Sequence, residues 1–152
     1  MLETPEILYT AEATASGGRE GHAATSDDRV DVELDVPKEM GGSGGPGTNP
    51  EQLFAVGYAA CLQSALLRFA TGRGLDLSES RVTARVGIGL LRGGGGLGLA
   101  VALDLDAPGL SRDVAVDLMN RAHETCPYSR ATRGNIAVTL TVSGSGIERQ
   151  AA

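Results

Sequence analysis

The chain has 152 residues, enough for one domain with a buried core, and 41% of them are apolar, which excludes a disordered protein. Its formal net charge of −6, with only 13 scattered Lys and Arg, argues against nucleic acid and anionic membranes as partners. The acidic start (MLETPE) lacks the order of a signal peptide, and no apolar run approaches the roughly 18 residues of a membrane span, so we expect a cytoplasmic protein.

The first part of the chain has the pattern of short β-strands. Residues 7–15 and 22–26 are predicted to be two strands joined by the turn 16–21 (SGGREG). In a third strand, apolar and acidic side chains alternate, which gives one buried and one solvated face: Val30, Val32, Leu34 and Val36 against Asp31, Glu33 and Asp35. The opening is therefore predicted to be a three-stranded antiparallel meander.

A glycine-rich loop is predicted to precede a long helix. Residues 40–48 (MGGSGGPGT) have the composition of a flexible loop. Asn49 is the expected N-cap of the helix, Pro50 stands at its first position, and Gln52 can complete a capping box. The helix is expected to run to about residue 71 and to stop at Gly72.

This predicted helix is apolar on nearly every side, as in residues 53–62 (LFAVGYAACL). Such a helix must be buried on every side. The sheets of a monomer of this length cover one side easily and two sides with difficulty. We therefore expect an intimate homodimer with this helix at its centre.

The second half of the chain is predicted to contain a hairpin and a second helix. Residues 81–91 and 97–106 are two expected strands, joined by the turn 92–96 (RGGGG). Ser111 is the expected cap of a helix that ends at Glu124. The inner face of that helix is formed by Val114, Ala115, Leu118, Met119 and Ala122.

The order of elements defines the fold class. Pro127 either ends the second helix or begins another short one, and residues 135–143 predict a final strand. The order is βββ-α-ββ-α-β, an α+β fold with antiparallel sheets, in one domain spanning residues 1–152. Residues 1–6 and 144–152 are expected to be frayed tails.

The chain has two cysteines, Cys61 in the first helix and Cys126 at the end of the second. The cytosol keeps thiols reduced, so a structural disulfide is not expected. Two such thiols are inert core residues, metal ligands or a working redox pair. If the two helices pack antiparallel, the cysteines can reach the Cα separation of about 4.4–6.8 Å that a disulfide requires.

A reactive Cys61 must be a thiolate, and the middle of an apolar helix does not favour one. Burial raises the pKa of a thiol, and a mid-helix residue gains nothing from the positive end of its own helix. A cation from elsewhere is therefore required. Arg19 in the first turn is a candidate, and Glu51 can fix an arginine by a bidentate ion pair. The simpler interpretation is that Arg19 is a solvated turn residue and that Glu51 is an ordinary carboxylate at a helix N-terminus.

A metal site is not expected. It would have to combine His22, Cys61, His123 and Cys126, and the closely spaced cysteine pair that is typical of structural zinc is missing from the sequence. A solvated helix residue is the preferred interpretation of His123.

Nucleotide and serine-hydrolase sites are also not expected. The glycine run 42–48 lacks the lysine of a phosphate loop, and the run 94–98 lies between two strands, where a dinucleotide site needs a strand and then a helix. Ser64 and Ser129 have no identifiable base. No cofactor is therefore predicted.

Four segments stand out in combination: residues 15–21 (ASGGREG), 48–55 (TNPEQLFA), 57–61 (GYAAC) and 126–136 (CPYSRATRGNI). Together they resemble the organic hydroperoxide resistance family, a branch of the osmotically inducible protein C superfamily. The similarity extends from about residue 9 to residue 142. The order NPEQLF, then YxxC, then CPYS is highly specific.

The resemblance implies a thiol-dependent peroxidase that reduces organic hydroperoxides (alkyl, aryl or fatty-acid) to alcohols. Cys61 would match the peroxidatic cysteine, which becomes a sulfenic acid, and Cys126 the resolving cysteine that forms a disulfide with it. Arg19 and Glu51 would match the pair that activates the thiolate.

The resemblance also implies an assembly and a reductant. The family fold is an interlocked homodimer in which the sheets wrap around two long central helices, and the reductant is a dihydrolipoyl group, on dihydrolipoamide or on a lipoylated protein. The candidate walls of a pocket for an apolar peroxide are Leu53, Phe54, Leu62 and Leu66.

Overall fold

The computed structural model describes residues 4–145. Its chain divides into two compact units, residues 1–50 and residues 51–152, and each is described by itself. The expectation of a single domain stays a prediction. Residues 1–3 and 146–152, which include most of the predicted frayed tails, lie outside the described residues.

The first unit contains the predicted meander. Its strands are β1 (Ala13–Ser16), β2 (His22–Thr25) and β3 (Asp31–Glu33), and both neighbouring pairs are antiparallel. β1 is shorter than expected, because its ladder begins at Ala13 opposite Thr25, where β2 ends.

The turn between β1 and β2 depends on glycine. It contains a short 3₁₀ helix, Gly18–Glu20, which carries Arg19. Gly17 enters the turn in the left-handed region, with φ of 75°, and a Cβ there would lie 2.9 Å from the Cα of Gly21. A residue with a side chain would therefore strain or open the turn that presents Arg19.

The glycine-rich loop is tied down rather than freely flexible as predicted. A 3₁₀ helix, Lys38–Met40, leads into the loop. The backbone N–H of Gly47 donates a hydrogen bond to the Asp35 carboxylate, and Thr48 forms a β-bridge with Leu34. The loop thus extends the pairing of the first unit beyond β3.

The long helix α1 (Pro50–Gly72) has the predicted bounds. One face is buried, formed by Tyr58, Leu62, Ala65, Leu66 and Ala70. On another face, Leu53, Val56 and Leu67 are 37%, 70% and 43% exposed. The single chain therefore covers one side of this apolar helix and leaves a second side open.

The length and composition of α1 would also allow it to cross a membrane, with a mean hydropathy of 1.4, and among residues 4–145 it is the one helix that meets this test. The sequence expectation concerned uninterrupted apolar runs, whereas this test uses the mean hydropathy of the helix. Core helices of soluble proteins also pass the test.

The second unit continues with the strands β4 (Arg81–Leu90) and β5 (Leu97–Ala107), which form the predicted antiparallel hairpin. Two helices follow, α2 (Arg112–Thr125) and the short α3 (Pro127–Thr132). Pro127 therefore begins a new helix, which settles the two alternatives left by the sequence.

The last strand, β6 (Ala137–Ser145), pairs with β5 in parallel, so this sheet is mixed rather than antiparallel as predicted. The reason is the connection, because α2 and α3 carry the chain back to the end of the sheet where β5 began. Gly144 and Ser145 belong to β6, although they were expected to be frayed.

The core of the second unit lies between the sheet and the helices. Alternate residues of β5 are buried, and α2 buries the inner face predicted from its spacing, with Val114 partly buried. The same cluster includes Tyr58 and Leu62 of α1 and, at the end of α2, Cys126. One of the two cysteines is thus part of the core.

Candidate functional site

The two cysteines lie in contact although they are far apart in the sequence. The Cys126 thiol points at Cys61 with an Sγ–Sγ distance of 3.3 Å, and both cysteines are reduced. Cys61 is half-buried, whereas Cys126 is completely buried. Two thiols at this distance can form a disulfide, with a bond of about 2.05 Å, after a small movement.

Cys126 is positioned by a break between two helices. Its backbone is not helical, with φ of −59° and ψ of 126°, because Pro127 disfavours the helical conformation in the residue before it. The Cys126 N–H still bonds the carbonyl of Ala122 at 2.8 Å, and its own carbonyl accepts the N–H of Arg130 at 2.9 Å. Cys126 therefore ends α2 and begins α3.

The electrostatic surroundings of Cys61 within this unit favour a thiol. Burial raises its pKa, a hydrogen bond from the backbone N–H of Tyr128 opposes that rise, and the neighbouring Cys126 sulfur raises the pKa further. The sequence interpretation missed the contribution of Tyr128, because it considered only the helix that contains Cys61. A further positive charge is still needed to make Cys61 a thiolate at neutral pH.

Three aromatic rings pack beside the cysteines. Phe54 lies with its ring centroid 5.9 Å from those of Tyr58 and Tyr128, and the latter two are 5.7 Å apart. Gly57 makes room for this packing, since a Cβ there would lie 2.6 Å from the Tyr128 hydroxyl oxygen.

Of the four residues predicted for the pocket wall, two are too deeply buried and two stay predictions. Leu62 and Leu66 are completely buried in the core, so they are not available to line an open pocket. Leu53 is 37% exposed, and Phe54 is partly buried in the aromatic group. Helical spacing explains the error, because Leu62 and Leu66 lie on the inner face of α1.

A groove lies between α2 and β6, but neither cysteine lines it. Its volume is about 470 Å³, and its lining includes Asp104, Arg112, Met119 and Leu140. Since the reactive groups of the sequence are absent from this lining, the groove is not the candidate site.

Arg19 and Glu51 lie in the secondary-structure elements that were predicted for them. Arg19 is half-buried in the 3₁₀ turn between β1 and β2, and Glu51 is half-buried in the first turn of α1. Arg19 belongs to the first unit, and Glu51 and both cysteines belong to the second. The roles of Arg19 and Glu51 therefore stay predictions.

A buried chain of hydrogen bonds next to the cysteines was not predicted. The Tyr58 hydroxyl donates to Ser129 Oγ at 2.9 Å, and Ser129 Oγ lies 2.8 Å from His123 Nδ1. Ser129 therefore does contact a base, although it is completely buried and unavailable as a nucleophile. The spacing of His123, Ser129 and Tyr58 in the sequence gives no signal of this contact.

His123 is not the solvated residue that was expected. Burial lowers its pKa, the nearby Arg133 cation lowers it further, and Glu124 has the opposite effect. The imidazole is thus held in its neutral form at neutral pH.

The residues considered as candidate metal ligands have other contacts. His22 Nε2 lies 2.6 Å from Asp31 Oδ1 in the first unit. Among residues 4–145, no three side chains of His, Cys, Asp or Glu are grouped closely enough to hold a metal ion.

Comparison with known proteins gives the class. The family described as OsmC-like protein matches residues 41–141. An organic hydroperoxide resistance protein of Xanthomonas axonopodis pv. citri is 49% identical over 144 residues, which cover 94% of this chain and 100% of the relative.

Solved structures agree with this match. A crystal structure of an organic hydroperoxide resistance protein from Elizabethkingia anophelis, with thiocyanate bound, has a TM-score of 0.86 and 46% identity, covering 92% of this chain and 99% of the other. The crystal structure of the organic hydroperoxide resistance protein OhrB of Bacillus subtilis has a TM-score of 0.84 and 41% identity, and the match covers 90% of this chain and 100% of the other.

The chain therefore belongs to the OsmC-like family, and within that family to the branch of the organic hydroperoxide resistance proteins. The family expected from the sequence motifs is confirmed, and so is the α+β fold class.

Proposed function

We propose that this protein is a cysteine-based peroxidase that reduces organic hydroperoxides to alcohols and detoxifies them. The observation that carries the proposal is the contact between Cys61 and Cys126 at 3.3 Å, with one thiol accessible and the other buried. The names of the relatives support the substrate class.

In the first step, the Cys61 thiolate attacks one oxygen of the peroxide bond. The O–O bond breaks, an S–O bond forms, and the alkoxide takes a proton and leaves as the alcohol. Cys61 becomes a sulfenic acid, so sulfur is oxidised by two electrons while the peroxide is reduced by two.

Arg19 and Glu51 are the proposed activating pair. The Arg19 guanidinium would hold Cys61 as a thiolate and offset the charge on the leaving oxygen, and Glu51 would orient the guanidinium. The raised pKa of Cys61 in its own unit is the reason that such a cation is needed.

In the second step, the Cys126 thiol attacks the sulfenic sulfur. The S–O bond breaks, the S–S bond forms, and water leaves with the Cys126 proton. Disulfide formation removes the sulfenic acid before a second peroxide can oxidise it irreversibly.

Two of the three aromatic rings support an apolar substrate, those of Phe54, which is partly buried, and Tyr128, which is 38% exposed. Each CH₂ of a substrate that is buried against apolar surface would contribute about 0.8 kcal/mol to binding. Hydrogen peroxide has no such group, so it would bind and react less well.

The proposed cycle closes by thiol–disulfide exchange with a dihydrolipoyl dithiol, either dihydrolipoamide or a lipoylated protein. We also propose that the protein is a cytoplasmic homodimer. A second copy would cover the open side of α1 that exposes Leu53, Val56 and Leu67.

A free-thiol titration tests this function. Reduced protein would receive one equivalent of cumene hydroperoxide, with hydrogen peroxide in a parallel sample. We expect rapid loss of both thiols with the organic peroxide, slower loss with hydrogen peroxide, and recovery with dihydrolipoamide. Persistence of both thiols would contradict the proposal and favour a non-catalytic protein that binds an apolar ligand.

A further inference from the structure

A chain of hydrogen bonds joins the helices that carry the two cysteines. We define it as the hydroxyl chain: Tyr58 on α1, Ser129 and Thr132 on α3, and His123 on α2. Tyr58 donates to Ser129 at 2.9 Å and contacts Thr132 Oγ1 at 3.1 Å, and His123 Nδ1 lies 2.8 Å from Ser129 Oγ. Tyr58 and Ser129 are completely buried and Thr132 is 3% exposed.

The hydroxyl chain lies one helical turn from the sulfur contact. Tyr58 precedes Cys61 by three residues, so both side chains project from the same face of α1. Ser129 follows Cys126 by three residues and lies one turn into α3. The bond between Tyr58 and Ser129 therefore runs beside the contact between Cys61 and Cys126 and fixes the same two elements.

Cys126 lies at the break between α2 and α3, where its backbone is held by one hydrogen bond to each helix. The contact between His123 and Ser129 spans this break, with one partner on each side. Arg133 adds a second brace, since its Nη2 donates to the His123 carbonyl at 2.9 Å. These bonds add two links across the break, each with one partner on either side of Cys126.

The donors of the hydroxyl chain follow in part from its contacts. Tyr58 donates to Ser129 Oγ, and Ser129 Oγ shares one hydrogen with His123 Nδ1, which Ser129 donates when the neutral imidazole carries its own proton on Nε2. The Thr132 hydroxyl donates to the Ser129 carbonyl at 3.1 Å. Within residues 4–145, no buried side-chain polar atom lacks a partner. Because apolar residues of the same shape could fill such a core almost equally well, packing alone does not require this polar arrangement.

We propose that the hydroxyl chain positions Cys126 for the formation of its disulfide with Cys61, with Tyr58, Ser129 and His123 acting as positioning residues. The proposal deepens, and rests on, the proposed function. In the step concerned, the Cys61 S–O bond breaks and the S–S bond forms, while the Cys126 proton leaves with the hydroxyl group as water. None of the positioning residues exchanges atoms or electrons with the sulfurs.

The variants Tyr58→Phe and Ser129→Ala test the proposal in the full chain. Each removes one hydroxyl group and keeps most of the packing. Tyr9→Phe and Ser78→Ala are matched controls, because Tyr9 is 79% exposed and Ser78 is also exposed. Far-ultraviolet circular dichroism would establish that each variant is folded.

The first measurement does not depend on peroxide. Each reduced protein is equilibrated in glutathione redox buffers, and the equilibrium constant for the Cys61–Cys126 disulfide gives the effective concentration of one thiol near the other. We expect both variants to lower this constant by about tenfold and both controls to leave it unchanged. An unchanged constant in folded Tyr58→Phe and Ser129→Ala would overturn the proposal.

The second measurement separates the two steps with cumene hydroperoxide. In both variants, we expect the Cys61 sulfenic acid to form at nearly the parent rate, the disulfide to form about tenfold more slowly, and sulfinic acid to accumulate. Equal slowing of both steps would indicate a general structural role and overturn the proposal.

A double variant, Tyr58→Phe with Ser129→Ala, shows whether the two residues act through one bond. We expect the combined effect on the disulfide equilibrium to be smaller than the product of the single effects, and independent effects would contradict a shared chain. If the parent protein forms the disulfide in glutathione but does not react with peroxide, the proposed function fails while the positioning proposal is still decided by the first measurement.

Discussion

At the scale of single residues, the two sulfur atoms differ most in their access to solvent. Cys61 is half-buried, whereas Cys126 is completely buried behind it. In the proposed mechanism, a peroxide would therefore reach Cys61 first, and Cys126 would react only with a partner that is already at Cys61. This difference supports the assignment of Cys61 as the attacking thiol.

Replacement of each cysteine should give different outcomes. Cys61→Ser should abolish peroxide consumption, since the remaining thiol is buried. Cys126→Ser should consume about one equivalent of peroxide and then stall or become overoxidised. Peroxide consumption and mass spectrometry of the products check both results. Normal cycling of Cys126→Ser with dihydrolipoamide would show that Cys126 is not needed for resolution.

Replacement of Arg19 tests the proposed activation. Arg19→Ala should raise the pKa of Cys61 further and slow its oxidation by about 10²-fold or more, because the thiolate and the leaving oxygen both lose a cation. Arg19→Lys keeps the charge without the planar fork and should give an intermediate rate. Thiolate absorbance as a function of pH and single-turnover rates measure these effects. An unchanged thiol pKa in Arg19→Ala would contradict the role of Arg19.

The two histidines should affect stability with opposite dependence on pH. Burial lowers the pKa of His123, and Arg133 lowers it further while Glu124 opposes. As pH falls below the ordinary value of 6.5, the unfolded chain therefore takes up a proton at His123 before the folded chain does. The contribution of His123 to stability is complete above 6.5 and is lost as pH falls through the lower, folded pKa.

Urea unfolding between about pH 5 and 8 measures this dependence. As pH falls, the free energy of unfolding should decrease less in His123→Gln than in the parent protein. The pKa of His22 is raised, chiefly by its hydrogen bond to Asp31, so its contribution is lost as pH rises. His22→Gln is therefore a control in which the free energy of unfolding should decrease more steeply than in the parent protein as pH falls. An identical pH dependence in parent and His123→Gln would contradict this account.

At the scale of elements, Gly57 allows α1 and α3 to pack closely. A Cβ at this position would lie 2.6 Å from the Tyr128 hydroxyl oxygen and 3.1 Å from two ring atoms. Alanine in a helix interior is normally about 1 kcal/mol more favourable than glycine. Here we expect the clash with Tyr128 to cancel that gain.

A thermodynamic cycle tests this conflict. Gly57→Ala should not raise the free energy of unfolding, and near-ultraviolet circular dichroism should show a displaced tyrosine. In a Tyr128→Ala background, the same substitution should stabilise the protein by about 1 kcal/mol. Gly72→Ala is a matched control, since a Cβ there meets no atom within 4 Å. Stabilisation by Gly57→Ala in both backgrounds would show that there is no clash.

Most elements could be predicted from the sequence because their signals are local. The alternation along the strands gave the meander, although β1 and β3 are shorter than expected, and the Asn49–Pro50 start gave α1 nearly at its observed bounds. The parallel pairing of β6 could not be predicted, because an alternating strand has the same pattern whether it pairs parallel or antiparallel. Burial of Leu62 and Leu66 also depends on which side of α1 meets the sheet.

The candidate site was predictable only in its residue types. Cys61 and Cys126 could be selected because the chain has no other cysteines. The N–H of Tyr128 at the Cys61 sulfur could not be found, since it belongs to the backbone of another helix. The contact of His123 with Ser129 depends on the angle between α2 and α3, which no local pattern specifies.

At the scale of the whole molecule, the open side of α1 predicts a dimer. Val56 is 70% exposed in the middle of this apolar face, which also exposes Leu53 and Leu67. Val56→Glu should weaken the dimer strongly, because a buried, unpaired carboxylate is costly. Leu90→Glu is a control at another exposed apolar residue, 83% exposed. Light scattering after gel filtration measures the mass, and a monomeric parent protein would contradict the prediction.

The contact between Cys61 and Cys126 also links distant parts of the chain, which are separated by 65 residues. A disulfide there would close a large loop and lower the conformational entropy of the unfolded chain, which would stabilise the folded state by about 4 kcal/mol. This is a substantial share of the roughly 5–15 kcal/mol by which a typical domain is stable. The oxidised molecule would then be harder for a protease to open than the reduced one. A cell short of reductant would accumulate the longer-lived form, and a returning supply of electrons would restore the reduced protein without new synthesis.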